Sequence, residues 1–147
     1  MDKRLRGQLD FIKEVDKLKH IIRQTWVVDG SRRENDAEHS WEVALMAMVL
    51  QEYAPSGTDL CHVLRLLLVH DLVEIHAGDT IAFDPLGHND KDQREQDAAR
   101  RLFRLLPEDQ CQYFRNLWEE FEEQSTVESQ FALCMDRLQP LLHNMYT

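Results

Sequence analysis

Apolar positions recur at intervals of three and four along most of the chain, the spacing that lines one face of a helix. Leu5, Leu9 and Ile12, followed by Val15, Leu18 and Ile22, predict an amphipathic helix over about 4–22. Asp29-Gly30-Ser31 then supplies turn chemistry, and the crowded Arg32, Arg33 and Glu34 read as a loop leading into the next helix. Asn35 or Asp36 can cap a second helix running to about Tyr53, with His39, Val43, Met46, Leu50 and Tyr53 on one face. Pro55-Ser56-Gly57 breaks it. Thr58 or Asp59 can cap a third helix, which carries Leu60, Val63, Leu64, Leu67, His70, Asp71 and Glu74 and stops at Gly78.

The stretch 79–90 contains Pro85, Gly87 and Asn89 and reads as a surface loop, of a length that is often functional. A fourth helix over about 91–106 and a fifth over about 108–124 are separated by Pro107. Ser125 with Glu128 is a capping-box signature for a sixth, which carries Phe131, Met135, Leu138 and Leu142, with Asp136 on a neighbouring face. Pro140 is expected to kink or end it. No strand pattern competes. The expected fold is all-α, a compact bundle of about six helices forming one domain over 1–147.

Composition supports that class, since 5 Gly and 4 Pro in 147 residues leave little material for a turn-rich sheet protein. A formal charge of −10 argues against a long nucleic acid as partner, because phosphate backbones are held by a Lys and Arg surplus. It leaves open a small phosphorylated substrate gripped by a cation and one or two arginines. Cys61, Cys111 and Cys134 lie far apart in apolar-periodic segments and read as buried free thiols. The charged start Met1 to Asp10 and the lack of a run of about 20 apolar residues suggest no membrane span and a cytoplasmic protein. The acidic run Glu119, Glu120, Glu122 and Glu123 reads as a solvated helix face.

His70-Asp71 is the first candidate for chemistry. Such a dipeptide is unsurprising in itself, but this one follows Leu66-Leu67-Leu68-Val69, where the helix should be buried and a charged Asp needs a partner. Adjacent helical residues diverge by about 100°, so the pair can flank an ion but not enclose it. His39 and Asp136, on other helices, are placed to complete the shell. Taken singly, His39 reads equally as a helix-start surface residue and Asp136 as an exposed carboxylate; the joint pattern carries the case. Two imidazoles and two carboxylates suit one divalent ion, Mn, Co, Fe, Zn, Ni or Mg, more than Ca. Glu74 and Asp79 could face the same cavity and handle a proton, although each also reads as an ordinary helix-surface or turn carboxylate. His20, His62, His76, His88 and His143 show no convergent pattern. Phosphate-loop, dinucleotide, nucleophile-elbow and zincin motifs are all missing from the sequence.

Taken together, Glu34-Asn35-x-Ala37-Glu38-His39-Ser40, Val69-His70-Asp71-x-x-Glu74-x-x-x-Gly78-Asp79 and the late Asp136 resemble the HD-domain metal phosphohydrolases, nearest to a 5′-deoxynucleotidase-like subgroup. Arg23-Gln24-Thr25-Trp26, Leu105-Leu106-Pro107-Glu108-Asp109 and Leu117-Trp118-Glu119-Glu120 extend the likeness over nearly the whole chain.

The resemblance implies a helical domain binding its ion through His39, His70, Asp71 and Asp136, with Glu74 and Asp79 serving catalysis. Arg23 and Trp26 are the nearest equivalents of the family's substrate contacts, although two residues separate them here. Arg32 and Arg33 are alternative phosphate contacts. The implied reaction is phosphate release from a 2′-deoxynucleoside 5′-monophosphate. The alternatives are hydrolysis of another nucleotide or phosphorylated small molecule, and a non-catalytic module that binds a nucleotide or partner. Relatives also suggest a homodimer, and many of them continue into a further helix where this chain stops 11 residues after Asp136.

Overall fold

The computed structural model describes residues 1–78 and 90–147. The helices are α1 (Lys3–Val15), α2 (Asp36–Val49), α3 (Leu60–Val69), the single-turn α4 (Glu74–Ala77), α5 (Lys91–Phe103), α6 (Glu108–Glu123) and α7 (Val127–Tyr146). Two 3₁₀ turns, Asp16–His20 and Gln51–Tyr53, and a short ribbon of β1 (Ile22–Trp26) and β2 (Arg33–Asn35) complete the described elements. The fold is an all-α bundle.

At its centre α2, α3 and α7 pack on one another, α6 closes over α3, and α5 lies against α4 and α6. Val43 and Ala47 of α2, Val63, Leu66 and Leu67 of α3, Leu102 and Phe103 of α5 and Ala132 of α7 are sealed from solvent. Each large apolar side chain buried there contributes roughly 1.5–3 kcal/mol. The run Leu66-Leu67-Leu68-Val69 thus enters the core, apart from the exposed Leu68, and carries His70 to the end of a rigid helix.

The N-terminal helix is shorter than its periodicity implied. It ends at Val15, and Leu5, Leu9 and Ile12 are exposed. The helix docks by another face, through buried Phe11, which meets the rings of Phe103 and Phe114 at 6.5 and 5.4 Å. A Cβ on Gly7 would sit 2.7 Å from the Leu105 carbonyl oxygen, so α1 approaches this corner only because position 7 lacks a side chain.

Residues 22–26, expected at a helix end, instead pair antiparallel with β2, matching Ile22 to Asn35 and Trp26 to Arg33 with an irregularity between them. Five residues and three are too few for alternation to be told from helical periodicity, and the ribbon is stabilised by pairing across a turn rather than by local pattern. Gly30, at φ 71°, sits in that turn, where its N–H bonds to the Val27 carbonyl.

The third helix also differs. Beyond Val69 the backbone bonds tighten from four residues to three, Leu72 to Val69 and Glu74 to Asp71, before α4 begins. Gly78, at φ 70°, ends α4 as expected. In α7 the cap is Thr126 paired with Ser129, one residue later than the Ser125 and Glu128 expectation. Glu128 instead accepts the Asp59 N–H. Pro140 does not end α7, which continues to Tyr146, because Gln139 and His143 are buried and hydrogen-bonded on either side of it.

Cys61 and Cys134 are exposed and Cys111 is half-buried, so the expectation of buried thiols does not hold; all three are free. Nor is the acidic run uniformly solvated: Glu120 accepts from His62 at 2.7 Å and from Thr126 at 2.6 Å. No helix among the described residues is long and apolar enough to cross a membrane.

Candidate metal centre

Three helices deliver four side chains to one point. Asn35 caps α2, accepting the Glu38 N–H at 2.9 Å while the Glu38 carboxylate accepts the Asn35 N–H at 3.0 Å, and so fixes the helical turn that holds His39. His70 and Asp71 stand where α3 tightens into its terminal turn, and Asp136 faces them from α7. One ligand-type atom from each of the four residues lies within 4.8 Å of all the others. His39 Nε2 is 2.8 Å from Asp136 Oδ1 and 3.9 Å from Asp71 Oδ2, and His70 Nε2 is 3.2 Å from Asp71 Oδ2 and 3.4 Å from Asp136 Oδ1. Ligand bonds of about 2.1 Å place neighbouring donor atoms about 3.0–3.4 Å apart, so these separations bracket what a transition-metal or magnesium ion requires.

The donor chemistry fits an ion as well. His70 Nδ1 donates to the Leu67 carbonyl at 2.6 Å, which leaves Nε2 buried and without a hydrogen-bond partner, aimed at two carboxylate oxygens. A lone pair facing two anionic oxygens demands a positive charge between them. Burial works against charge on His70, but Asp71 and Asp136 outweigh it and hold the imidazole well above its usual value. A divalent cation meets the same demand. Burial would likewise raise the two aspartates, yet His70 with Asp36 for Asp71, and the two histidines for Asp136, hold both below the usual carboxylate range.

Around the four lies a shell of which the sequence had singled out only Arg23, as a substrate contact. The Arg23 guanidinium donates to Glu34 at 3.1 Å, Asp36 at 3.2 Å and Asp71 at 3.4 Å. The pairing of Ile22 with Asn35 sets this up, since it puts Arg23 across the ribbon from Glu34. Glu34 and Asp36 are both buried. Burial and the neighbouring Asp71 carboxylate push Asp36 up to about 9, so at neutral pH it keeps its proton and can share it with Asp71. Behind His39, Gln139 links to Glu34, Glu42 and His143. The sequence carries only their spacing, which puts Asp136, Gln139 and His143 along one side of α7.

Glu74 lines a cavity of about 70 Å³ together with Arg23, Asp36 and Asp71, so it borders the cluster. Asp79 lies outside the described residues, as does His88. The other anion candidates are dispersed. Arg32 is exposed and paired with Glu38 at 2.7 Å; Arg33 bonds Gln24 and stacks over the Trp26 ring at 5.8 Å. Neither hydrogen-bonds any of the four ligand-type residues, and Trp26 is exposed at the far end of β1. A larger cavity, about 600 Å³ between α1 and the α5–α6 corner, contains none of the cluster residues, and the donor chemistry rather than cavity size marks the site.

An HD-domain family model matches residues 15–147. The human protein named 5′-deoxynucleotidase HDDC2 is 36% identical over 138 residues, covering 93% of this chain and 66% of its own length. The yeast protein named 5′-deoxynucleotidase YGK1 is 26% identical over 140 residues, covering 92% of this chain and 64% of that one. A crystal structure from Magnetospirillum magnetotacticum, titled a "predicted metal-dependent phosphohydrolase", aligns with a TM-score of 0.91 at 53% identity, over 98% of this chain and 72% of that chain. The chain therefore spans just under two thirds of the human relative's length.

Proposed function

The chain belongs to the HD-domain family, and from that premise we propose that it is a metal-dependent phosphomonoester hydrolase releasing phosphate from 2′-deoxynucleoside 5′-monophosphates. The observation that carries the proposal is the buried, unpartnered His70 Nε2 converging with His39, Asp71 and Asp136. These four would hold one divalent ion, which when bound supplies Lewis acidity toward water and a phosphoryl oxygen. Mn, Co, Fe, Zn, Ni and Mg all suit two imidazoles with two carboxylates. The substrate class is supported by the names of the human and yeast relatives.

The chain's own residues then divide the work. Arg23, anchored by three carboxyl groups, keeps a fixed positive charge beside the site and has N–H donors left for a phosphate oxygen. Glu74, bordering the same cavity, is placed to take a proton from the attacking water or return one to the leaving oxygen, and Asp79 is the alternative carboxylate for that role. Trp26, Arg32 and Arg33 would reach only the base or sugar side of a bound nucleotide, because their own contacts hold them along the ribbon.

A nucleotide panel tests this. Ribo- and deoxynucleoside mono- and triphosphates, each assayed with Mn, Co and Mg, should show phosphate release confined to deoxynucleoside monophosphates and lost on chelation. Turnover of triphosphates alone would overturn the substrate. Metal-dependent nucleotide binding with no phosphate release would instead favour a binding module.

The assembly proposed is a homodimer in the cytoplasm. Its support is an exposed apolar stripe on α2, namely Trp41, Leu45, Met48 and Val49, and three unpaired cysteines. Native mass should show two chains, and Trp41→Glu should shift the mass to one; a wild-type monomer at working concentration removes the dimer.

A further inference from the structure

We propose that Gln139 is a positioning residue that dictates which ring nitrogen of His39 faces the ion. The inference rests on the reading of His39, His70, Asp71 and Asp136 as an ion site. Gln139 lies three residues beyond Asp136 on α7 and is sealed from solvent. Its amide nitrogen sits 2.7 Å from Glu34 Oε2 and 2.7 Å from Glu42 Oε2. Carboxylate oxygens accept, and an amide nitrogen has two hydrogens to give, so this end is matched. Reversing the amide would set its oxygen against both carboxylates at the same distance, which is repulsive. The orientation is therefore forced by chemistry.

The consequence reaches His39. Gln139 Oε1 lies 3.0 Å from His39 Nδ1 and can only accept, so Nδ1 must carry a hydrogen. That leaves the opposite nitrogen, Nε2, to offer its lone pair on the side of Asp71 and Asp136. His70 reaches the same end by a backbone route, through the Leu67 carbonyl. Only His39 depends on a side chain.

Gln139 is itself braced. His143, also buried, donates from Nδ1 to the Trp26 carbonyl at 2.8 Å and meets Glu42 with Nε2 at 2.8 Å. A continuous set of contacts thus runs from the end of β1 through His143, Glu42 and Gln139 to His39. Glu34, Glu42 and His143 have ligand-type atoms close enough to hold an ion of their own. The Gln139 amide already fills the space between the two carboxylates, however, and an ion there would require the amide reversed. Reversal would turn NH₂ toward His39 Nδ1 and disable the first site, so the geometry favours a brace over a second ion.

The test uses Zn²⁺ as probe. Imidazole ¹⁵N NMR of the Zn²⁺-loaded wild-type chain should show His39 bound through Nε2, with a slowly exchanging Nδ1–H. Gln139→Met, similar in length but lacking a strong acceptor, should lose the protection of that hydrogen and bind Zn²⁺ about 10–100-fold more weakly. Zn²⁺ bound at His39 with affinity and Nδ1–H protection unchanged in Gln139→Met overturns the proposal alone. A second Zn²⁺ equivalent lost on Glu42→Gln also overturns it, in favour of a second ion. No Zn²⁺ bound by the wild type overturns the ion site and the proposal together. The wild-type spectrum decides by itself if the methionine variant folds poorly: His39 bound through Nδ1 would end the proposal.

Discussion

Replacing Asp71 by alanine is expected to remove both the ion and the activity. Asp71 stands at the junction of the site, 3.2 Å from His70 Nε2, 3.9 Å from His39 Nε2 and 3.4 Å from Arg23. Its loss takes away one of two anionic ligands and leaves the Arg23 guanidinium facing the vacated position, where it repels a cation. Phosphoryl transfer depends chiefly on positioning and charge neutralisation, so phosphate release should fall at least about 10³-fold. Bound metal, measured on the same preparation, should fall with it. Asp71→Asn should follow alanine closely, because the missing element is charge rather than volume. Near-normal, chelator-sensitive phosphatase activity in Asp71→Ala, purified free of contaminating phosphatase, would end the assignment of the site.

Arg23→Met should separate the ion from the substrate. The guanidinium lies among Glu34, Asp36 and Asp71, and among the described residues its Nη2 makes no hydrogen bond, so donors remain for an anion. Removing this cation from beside a cation site should leave metal affinity unchanged or tighter, by Coulomb's law. Substrate handling should suffer, with kcat/KM falling about 10²-fold and much of the loss in KM. Stability should fall by roughly 1–3 kcal/mol, since buried carboxyl groups lose their partner; the side chain is 24% exposed, which keeps this below the cost of a fully buried pair. Arg23→Lys should recover little, because a single ammonium cannot reproduce a fork shared among three carboxyl groups. An unchanged KM alongside full metal loading would remove Arg23 from the substrate contacts.

These two expectations differ in how visible their residues are in the sequence. Asp71 is legible because a charged residue closing the run Leu66 to Val69 is anomalous on a buried helix. Arg23 is visible only as a resemblance, since its role depends on a ribbon whose strands are too short to announce themselves. Gln139 and His143 stay hidden because polar residues on a helix ordinarily face water, and nothing local says that these two face Glu34 and Glu42 across the bundle. Leu5, Leu9 and Ile12 mislead in the opposite sense: their spacing is helical, but α1 buries Phe11 instead.

Local chemistry along the chain was enough to determine the class of fold, where most helices begin and the anomaly of His70-Asp71 on a buried helix, while His39 and Asp136 joined that pair only through the joint pattern and its resemblance to a family. The first three follow from periodicity, capping and the cost of burying charge, which act over a few residues. Only the tertiary structure decided that Arg23 joins Glu34, Asp36 and Asp71, that Asp36 is buried beside the Asp71 carboxylate, and that Gln139 stands against His39 Nδ1. The reason is distance along the chain. His39 and Gln139 stand 100 residues apart, and a hydrogen bond between them exists only once α2 and α7 have packed.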